Sequence, residues 1–166
     1  MNIRCFLMAA GLLVAGAASA SVPIDGRLSS EDQARILAIG DLVDDHWNAR
    51  RAEDLAALYV EEGDLQFVGQ DRGARSRAGI ADYFSASFAR LTPDLRHVTK
   101  VDRLKVLTPD AVLADSSVEL LRQAPDGSTS VVRRFATTNI LVRESGEWRI
   151  AAVRTHILPD PTAVES

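Results

Sequence analysis

The sequence predicts a single α+β domain in which helices come first and pack on the concave face of a curved, mainly antiparallel sheet. Two observations carry this prediction. Apolar residues recur at helical spacings of three and four before Pro93, and the chain after Pro93 divides into long strands separated by short turns. A length of 166 residues, 46% hydrophobic and 25% charged, is enough for one domain with a substantial core.

The first helix is predicted at about residues 30–50. Ser30 and Gln33 have the spacing of a capping box, in which a hydroxyl and a side-chain amide bind free backbone N–H groups at the start of a helix. The apolar residues that follow share one helical face: Ile36, Ile39, Val43 and Trp47. This face predicts that the helix packs against the sheet.

Two more helices are predicted, one at 52–60 that ends at Gly63, and one that is capped by Ser76. A short strand at 65–68 and a polar, glycine-containing loop at 69–75 lie between them. The sequence therefore predicts three N-terminal helices interrupted by one strand.

Four long strands are predicted after the helices, at 96–107, 111–123, 130–143 and 147–158. Their separators carry the proline, aspartate and glycine typical of tight turns. Connections this short join antiparallel neighbours, so the strands should form a meander.

Strand alternation also predicts a partner for the sheet. Trp148 and Ile150 share one face of the last strand, but Val153 and Ile157 fall on the other face. A sheet with one wet face should alternate cleanly between apolar and polar residues. We therefore expect the outer face to be partly buried in a homodimer.

The first twenty residues have the form of a signal peptide. Arg4 precedes an apolar stretch, and Ala18-Ser19-Ala20 is an A-x-A cleavage signal, which predicts cleavage after Ala20 and a periplasmic or secreted protein. The alternative, an N-terminal membrane anchor, is disfavoured because the apolar stretch is short. The predicted organisation is a signal peptide at 1–20, a flexible lead at 21–29, the domain at 30–158 and a tail at 159–166.

Composition excludes several classes of function. The one cysteine, Cys5, lies in the predicted signal peptide, so the mature protein should have no disulfide and no cysteine nucleophile. The net charge is −4, and no basic run with interleaved aromatic residues points to nucleic acid. No second apolar stretch is long enough for a membrane span, so no membrane contact is expected after cleavage.

Short motifs along the chain resemble the SnoaL-like domains of the nuclear transport factor 2-like superfamily, with the SgcJ/EcaC group as the most similar. The motifs are Trp47-Asn48-Ala49, Leu55-Ala56-Ala57-Leu58-Tyr59, Glu61-Glu62-Gly63-Asp64, Gly79-Ile80, Leu107-Thr108-Pro109-Asp110-Ala111 and Gly146-Glu147-Trp148-Arg149-Ile150. The resemblance implies a cone-shaped fold with a mostly apolar cavity. It does not imply a reaction, because relatives include isomerases, dehydratases, cyclases, ligand binders and assembly modules. The group often has Gly-Asp where this chain has Arg50-Arg51.

His97 and Asp64 are the candidate catalytic residues. His97 begins the first long strand, and a neutral imidazole in the cavity could act as a general base. The alternative is a histidine that faces solvent or has a structural hydrogen bond. Asp64 matches an acid of the family, which acts as a base in some members of the superfamily; it could instead cap a turn.

Arg154 and His156 share a strand face with Trp148 and Ile150 by simple alternation. If Trp148 points into the core, both should reach the cavity or its rim, where Arg154 could hold a carboxylate or phosphate. The alternative for Arg154 is an ion pair with an acid at the dimer face.

Aromatic residues are the remaining candidates for ligand binding: Trp47, Tyr59, Phe67 and Phe84. They could equally belong to the core, where a buried Tyr59 would need a hydrogen-bond partner.

No metal site and no cofactor are predicted, because the three histidines lack ligand spacing and no phosphate-binding or dinucleotide motif occurs. Three functions stay open at this point. The first is binding of a small, partly apolar molecule. The second is a cofactor-independent isomerase, cyclase or hydrolyase, and the third is a non-catalytic dimerisation or protein-binding module.

Overall fold

The computed structural model describes residues 21–159, so the predicted signal peptide at 1–20 and all but the first residue of the predicted tail lie outside the described residues. The helices are α1 (Ser30–Asn48), α2 (Ala52–Ala57) and α3 (Arg77–Phe88). The strands are β1 (Ile24–Asp25), β2 (Tyr59–Phe67), β3 (Gly73–Arg75), β4 (Leu95–Thr108), β5 (Ala111–Gln123), β6 (Thr129–Glu144) and β7 (Glu147–Ile157).

All seven strands form one curled sheet in the order β1-β4-β5-β6-β7-β2-β3. Strands β4 to β7 are an antiparallel meander, as predicted. The pairs β1–β4 and β2–β7 are parallel, so the sheet is mixed. The α+β class is therefore confirmed, while the prediction of three N-terminal helices is confirmed only in part because α2 is a six-residue helix.

The second helix is shorter than predicted because the chain turns into β2 at Tyr59. Gly63 does not end a helix; it lies within β2, where the register to β7 shifts between Tyr59 and Asp64. A β-carbon on Gly63 would lie 2.9 Å from that of Tyr59. The glycine is therefore needed for a close approach at a β-bulge.

Two short strands lie in segments predicted to be irregular. Ile24 of the predicted lead pairs with Leu104, and Ala74 of the predicted loop pairs with Leu65. Strands of two and three residues are too short to give a periodic pattern, so the sequence could not indicate them.

Helix α1 begins at Ser30, as predicted, but its capping residue lies one position earlier than predicted. Ser29, not Ser30, is the N-cap, and its hydroxyl accepts a hydrogen bond from the backbone N–H of Asp32 at 3.0 Å. The Asp32 carboxylate in turn accepts the indole N–H of Trp148 at 2.9 Å. This contact joins the start of α1 to β7, and α1 buries Ile36 and Ile39 in the main core.

Arg50, where the resembling group often has glycine, takes the left-handed conformation with φ +58°. Its guanidinium stacks on the Trp47 ring at 4.3 Å and donates to the carbonyls of Thr92 and Leu95. The arginine therefore adopts a backbone conformation that favours glycine, and its side chain fastens the end of α1 to the start of β4.

A β-bulge in β7 reverses the alternation of side chains midway along the strand. Ile150 pairs with Leu141 and Ala152 pairs with Ile140, which leaves Ala151 as an extra residue. Trp148, Ile150 and Val153 are consequently all buried on the inner side. Val153, one of the aliphatic residues that predicted a covered outer face, thus belongs to the core. The homodimer stays a prediction that rests on the remaining outer aliphatic residues.

The outer face of the sheet centre carries ion pairs across neighbouring strands. Arg103 bonds Asp115 at 3.0 Å, and Arg134 bonds Glu119 at 2.9 Å. No helix among the described residues is long and apolar enough to cross a membrane.

Candidate active site

A cavity of about 300 Å³ lies between the helices and the inner face of the sheet. Helix α1 contributes an apolar wall, α3 contributes aromatic side chains, and β4 to β7 contribute the concave floor. Its aromatic lining is Trp47, Tyr59, Phe67, Tyr83, Phe84 and Phe135. All four aromatic residues predicted for ligand binding therefore line the cavity, although ligand binding itself stays a prediction.

The floor carries a small group of uncharged polar side chains. Ser116, Thr137 and Thr155 are cross-strand neighbours on β5, β6 and β7, and all three line the cavity. Ser116 and Thr155 are the buried polar residues of the described chain. The Asn139 amide donates to the Ala114 carbonyl at 3.3 Å, so it is held in place. This floor can hydrogen-bond one polar group of a ligand in otherwise apolar surroundings.

His97 lines the cavity and is held from behind by Asp44 of α1. Its Nδ1 lies 2.7 Å from the Asp44 carboxylate, which also accepts the backbone N–H and the hydroxyl of Thr99, each at 2.7 Å. Because a carboxylate only accepts hydrogen bonds, the imidazole carries a proton on Nδ1 and donates it to Asp44, and no described residue is hydrogen-bonded to Nε2. An imidazole that is oriented by a carboxylate on one nitrogen and open on the other has the geometry that a general base would need.

Helix α1 fixes the backbone of this pair as well as its side chains. Asn48, one turn after Asp44, accepts the N–H of His97 at 2.7 Å and donates to its carbonyl at 2.9 Å. The Trp47 ring lies over the imidazole with 5.1 Å between ring centroids. Position and ring plane of His97 are thus set by three residues of the same helix turn.

Tyr59 lies in the cavity wall with 4% of its surface exposed. Burial, and after it the neighbouring phenol of Tyr83, raises the pKa of Tyr59 well above its ordinary value. The phenol therefore stays protonated at every physiological pH. The Tyr59 hydroxyl forms no hydrogen bond with another described residue, and Tyr59 lines the cavity, so the hydroxyl can donate to a ligand there.

The structure places Asp64 outside the cavity. Its neighbour Leu65 is buried, so Asp64 points to the opposite face of β2, where its carboxylate binds Arg154 at 2.6 Å and Gln66 at 3.0 Å. Burial raises the pKa of Asp64, but the hydrogen bonds from Gln66 and Arg154 and the charges of Arg154 and Arg75 outweigh it and keep the pKa below its ordinary value. An ion-paired carboxylate outside the cavity does not suit a general base for a cavity ligand.

Arg154 and His156 also lie on the outer side, in contrast to the prediction. Thr155 between them faces the cavity, and His156 is exposed. The cause is the extra residue Ala151, because simple alternation from Trp148 assigns every later residue of β7 to the wrong face. For Arg154 the alternative of an ion pair with an acid matches the observed contact.

Sequence reasoning missed Asp44, Asn48 and the polar floor. One signal for Asp44 was available, since it is an acid within the apolar face formed by Ile39, Val43 and Trp47. Buried polar residues on an otherwise apolar face are frequently functional. Among residues 21–159, no group of three or more His, Cys, Asp or Glu is arranged to hold a metal ion.

The fold and the cavity define a class of protein in which a curled sheet and a few helices surround an apolar pocket. The chain belongs to the SnoaL-like domain family, whose model matches residues 29–154. This confirms the resemblance noted in the sequence. A comparison with functionally curated proteins gave no match.

Solved structures with the same fold are numerous, and three are representative. An NTF2-like protein with a cystatin-like fold from Novosphingobium aromaticivorans is 24% identical, with a TM-score of 0.69, over 80% of this chain and 85% of that chain. A ketosteroid isomerase-like protein from Erwinia carotovora atroseptica is 16% identical, with a TM-score of 0.63, over 80% and 100%. A hexachlorocyclohexane dehydrochlorinase is 15% identical, with a TM-score of 0.66, over 78% and 86%. These likenesses establish the fold alone.

Proposed function

We propose that the protein binds a small, partly apolar molecule in its cavity and transfers a proton on it without a cofactor, as an isomerase or a lyase. The observation that carries this proposal is the contact of 2.7 Å between Asp44 and Nδ1 of His97, because it leaves Nε2 as a base in an apolar cavity. The names of two similar structures, an isomerase-like protein and a dehydrochlorinase, denote an isomerisation and an elimination. Both kinds of reaction can begin with removal of a proton from carbon.

In the proposed reaction Nε2 of His97 takes a proton from an acidified carbon of the substrate. The imidazolium that forms is stabilised by the Asp44 carboxylate, and negative charge that develops on the substrate accepts a hydrogen bond from Tyr59 or the polar floor. Return of the proton to a different carbon gives an isomerised product. Loss of a leaving group, which departs with its bonding electron pair and receives that proton, gives an elimination product. The electron pair of the broken C–H bond forms the new double bond in either case.

The test uses a nitrobenzisoxazole, whose ring opens when a base removes its carbon-bound proton. Wild-type protein should accelerate the opening, and His97→Gln should lower the rate by about 10²–10⁴-fold. The matched control is His156→Gln, which removes the same group from the exposed outer face and should leave the rate unchanged. Equal rates for the two variants, or a wild-type rate no greater than that of His97→Gln, would exclude His97 as the base.

Binding without catalysis is the second candidate, because the apolar, aromatic lining suits a bound ligand whether or not a reaction follows. It predicts that ligands bind to wild type and to His97→Gln alike while neither turns over. The third alternative, a non-catalytic dimerisation or protein-binding module, needs no open cavity, so a cavity of about 300 Å³ does not support it.

We further propose that the protein is exported and cleaved after Ala20. Val22 and Ile24 already pack against the core, so a chain cut at that point would begin almost directly with β1. The domain boundary and the cleavage signal therefore coincide, which supports the proposal without testing it.

A further inference from the structure

The charged residues that line the cavity are all basic. Arg72 and Arg90 line it together with His97, and among the described lining residues there is no aspartate, glutamate or lysine. The whole chain carries a net charge of −4, so this bias runs against its composition. Both arginines are exposed, whereas the His97 side chain is 16% exposed, so the arginines lie at the mouth and the imidazole lies inside.

Neither arginine is neutralised by the protein. Within residues 21–159, Arg72 and Arg90 form no ion pair, while three arginines of the outer sheet face bind carboxylates. An unpaired guanidinium at the mouth of an apolar cavity is a binding group for an anion, which it can hold by two parallel hydrogen bonds.

Arg72 is also held in a defined position. Its guanidinium stacks on the Phe67 ring at 4.3 Å, and its Nε donates to the Tyr83 hydroxyl at 2.7 Å. These contacts use one of its five N–H donors, and the four on the two terminal nitrogens are available to a ligand. Because the side chain is ordered before a ligand arrives, little rotamer entropy is lost on binding.

Arg90 occupies a second point of the same rim. Arg90 follows the end of α3 by two residues, so it lies about 10 Å farther along the direction of the helix axis than Tyr83, which holds Arg72. The buried hydroxyl of Ser87, between them in the cavity wall, has no partner in the described structure. Of the two arginines at the mouth, Arg72 is therefore the one whose guanidinium is held in place before a ligand binds.

We propose that the ligand of this cavity is a small carboxylic acid, with its carboxylate on Arg72 at the mouth and its apolar body inside. A cavity of about 300 Å³ has the volume of about ten water molecules. A ring or short chain of about ten non-hydrogen atoms therefore fits in it. This proposal deepens the proposed function: it names the substrate class for the same cavity and places the apolar carbon skeleton beside His97.

The experiment compares phenylpropionate with its neutral amide of the same size, by amide-resolved NMR titration of the full mature protein. Wild type should bind the acid about tenfold to a hundredfold more tightly than the amide. Arg72→Gln should abolish this preference, and Arg72→Lys should restore part of it. Arg27→Gln removes the same charge from an exposed position in the lead segment and should keep the preference intact.

Two further probes make the assignment specific. Tyr83→Phe removes the hydroxyl that orients Arg72 and should reduce the preference without abolishing it, since the ring that stacks on the arginine remains. Phenethylphosphonate tests the kind of anion, and tighter binding of this probe than of phenylpropionate would overturn the assignment to a carboxylate.

Equal binding of acid and amide by wild type would refute the proposal, as would an unchanged preference in Arg72→Gln. Failure of both phenylpropionate and its amide to bind at millimolar concentration would refute it too. The outcome is separable from the proton-transfer mechanism, because binding needs no turnover. If His97→Gln loses the opening of nitrobenzisoxazole but keeps the preference for the acid, both proposals are supported. If the preference for the acid is observed but the rate of ring opening does not depend on His97, only the proposal of a carboxylic acid ligand is supported.

Discussion

Replacement of Asp44 by alanine tests whether α1 really holds the strand that carries His97. The carboxylate accepts three hydrogen bonds, each of 2.7 Å, from the His97 ring and from the N–H and hydroxyl of Thr99. Hydrogen bonds to a charged group contribute up to about 3 kcal/mol each to the free energy of unfolding when they are shielded from water. The side chains of Asp44 and His97 are 20% and 16% exposed, so water can replace part of what is lost. About 1 kcal/mol per bond is therefore the appropriate scale.

The expected loss for Asp44→Ala is about 2–3 kcal/mol in the free energy of unfolding, because alanine also regains about 0.5 kcal/mol of helix propensity. For a domain of this size the melting temperature should fall by about 5–10 °C. Asp44→Asn keeps one acceptor oxygen and should lose about half as much. Urea unfolding followed by tryptophan fluorescence and circular dichroism measures both losses.

The matched control is Asp45→Ala, the next residue of α1, whose exposed carboxylate makes no hydrogen bond within the described structure. It removes the same charge from the same helix and should change stability by no more than about 0.5 kcal/mol. If Asp44→Ala and Asp45→Ala were equally stable, the Asp44 carboxylate would not be holding β4. Asp44 would then not orient His97 either.

Two other measurements test separate parts of the molecule. Hydrogen bonds from Trp148 and Ser29 lower the pKa of Asp32 from 3.8 to about 2, so its stabilising contribution is present above about pH 4 and is lost as the pH falls toward 2. Asp32→Asn should therefore be less stable than wild type at neutral pH, with the difference shrinking across that acid range in urea unfolding; a constant difference would contradict the assignment. Native mass spectrometry of exported protein should give a dimer of chains that begin at Ser21, and a monomer by light scattering at micromolar concentration would exclude the predicted dimer.

The cavity wall was predictable where a residue's neighbours along the chain decide its direction. Trp47 follows the apolar stripe of α1, and Phe84 follows the helical spacing of α3, so both could be assigned from spacing alone. Arg154 and His156 could not, because one extra residue at Ala151 reverses the faces of β7 beyond it. Such a bulge depends on the pairing with β6, and the local sequence carries no mark of it.

Only His97 of the pair with Asp44 was predictable from the sequence, for a different reason. The two residues are 53 positions apart, and no spacing rule connects a helix to a strand at that separation. What brings them together is the packing of α1 across the start of β4, which Asn48 and Arg50 fasten by hydrogen bonds to the β4 backbone and the turn before it. The rim arginines are likewise a product of packing, since Arg72 gains its role from Phe67 and Tyr83 of two other elements.

The sequence by itself determined the α+β class, the antiparallel meander and the family, because these follow from hydrophobic period, turn chemistry and motifs that are local in the chain. Tertiary structure alone decided which polar groups face the cavity. Side-chain direction on a strand has a period of two, so one bulge exchanges inside for outside without any change in composition. Strand direction placed Asp64 on the outer face, where it is ion-paired, and the packing of α1 on β4 made Asp44 the partner of His97.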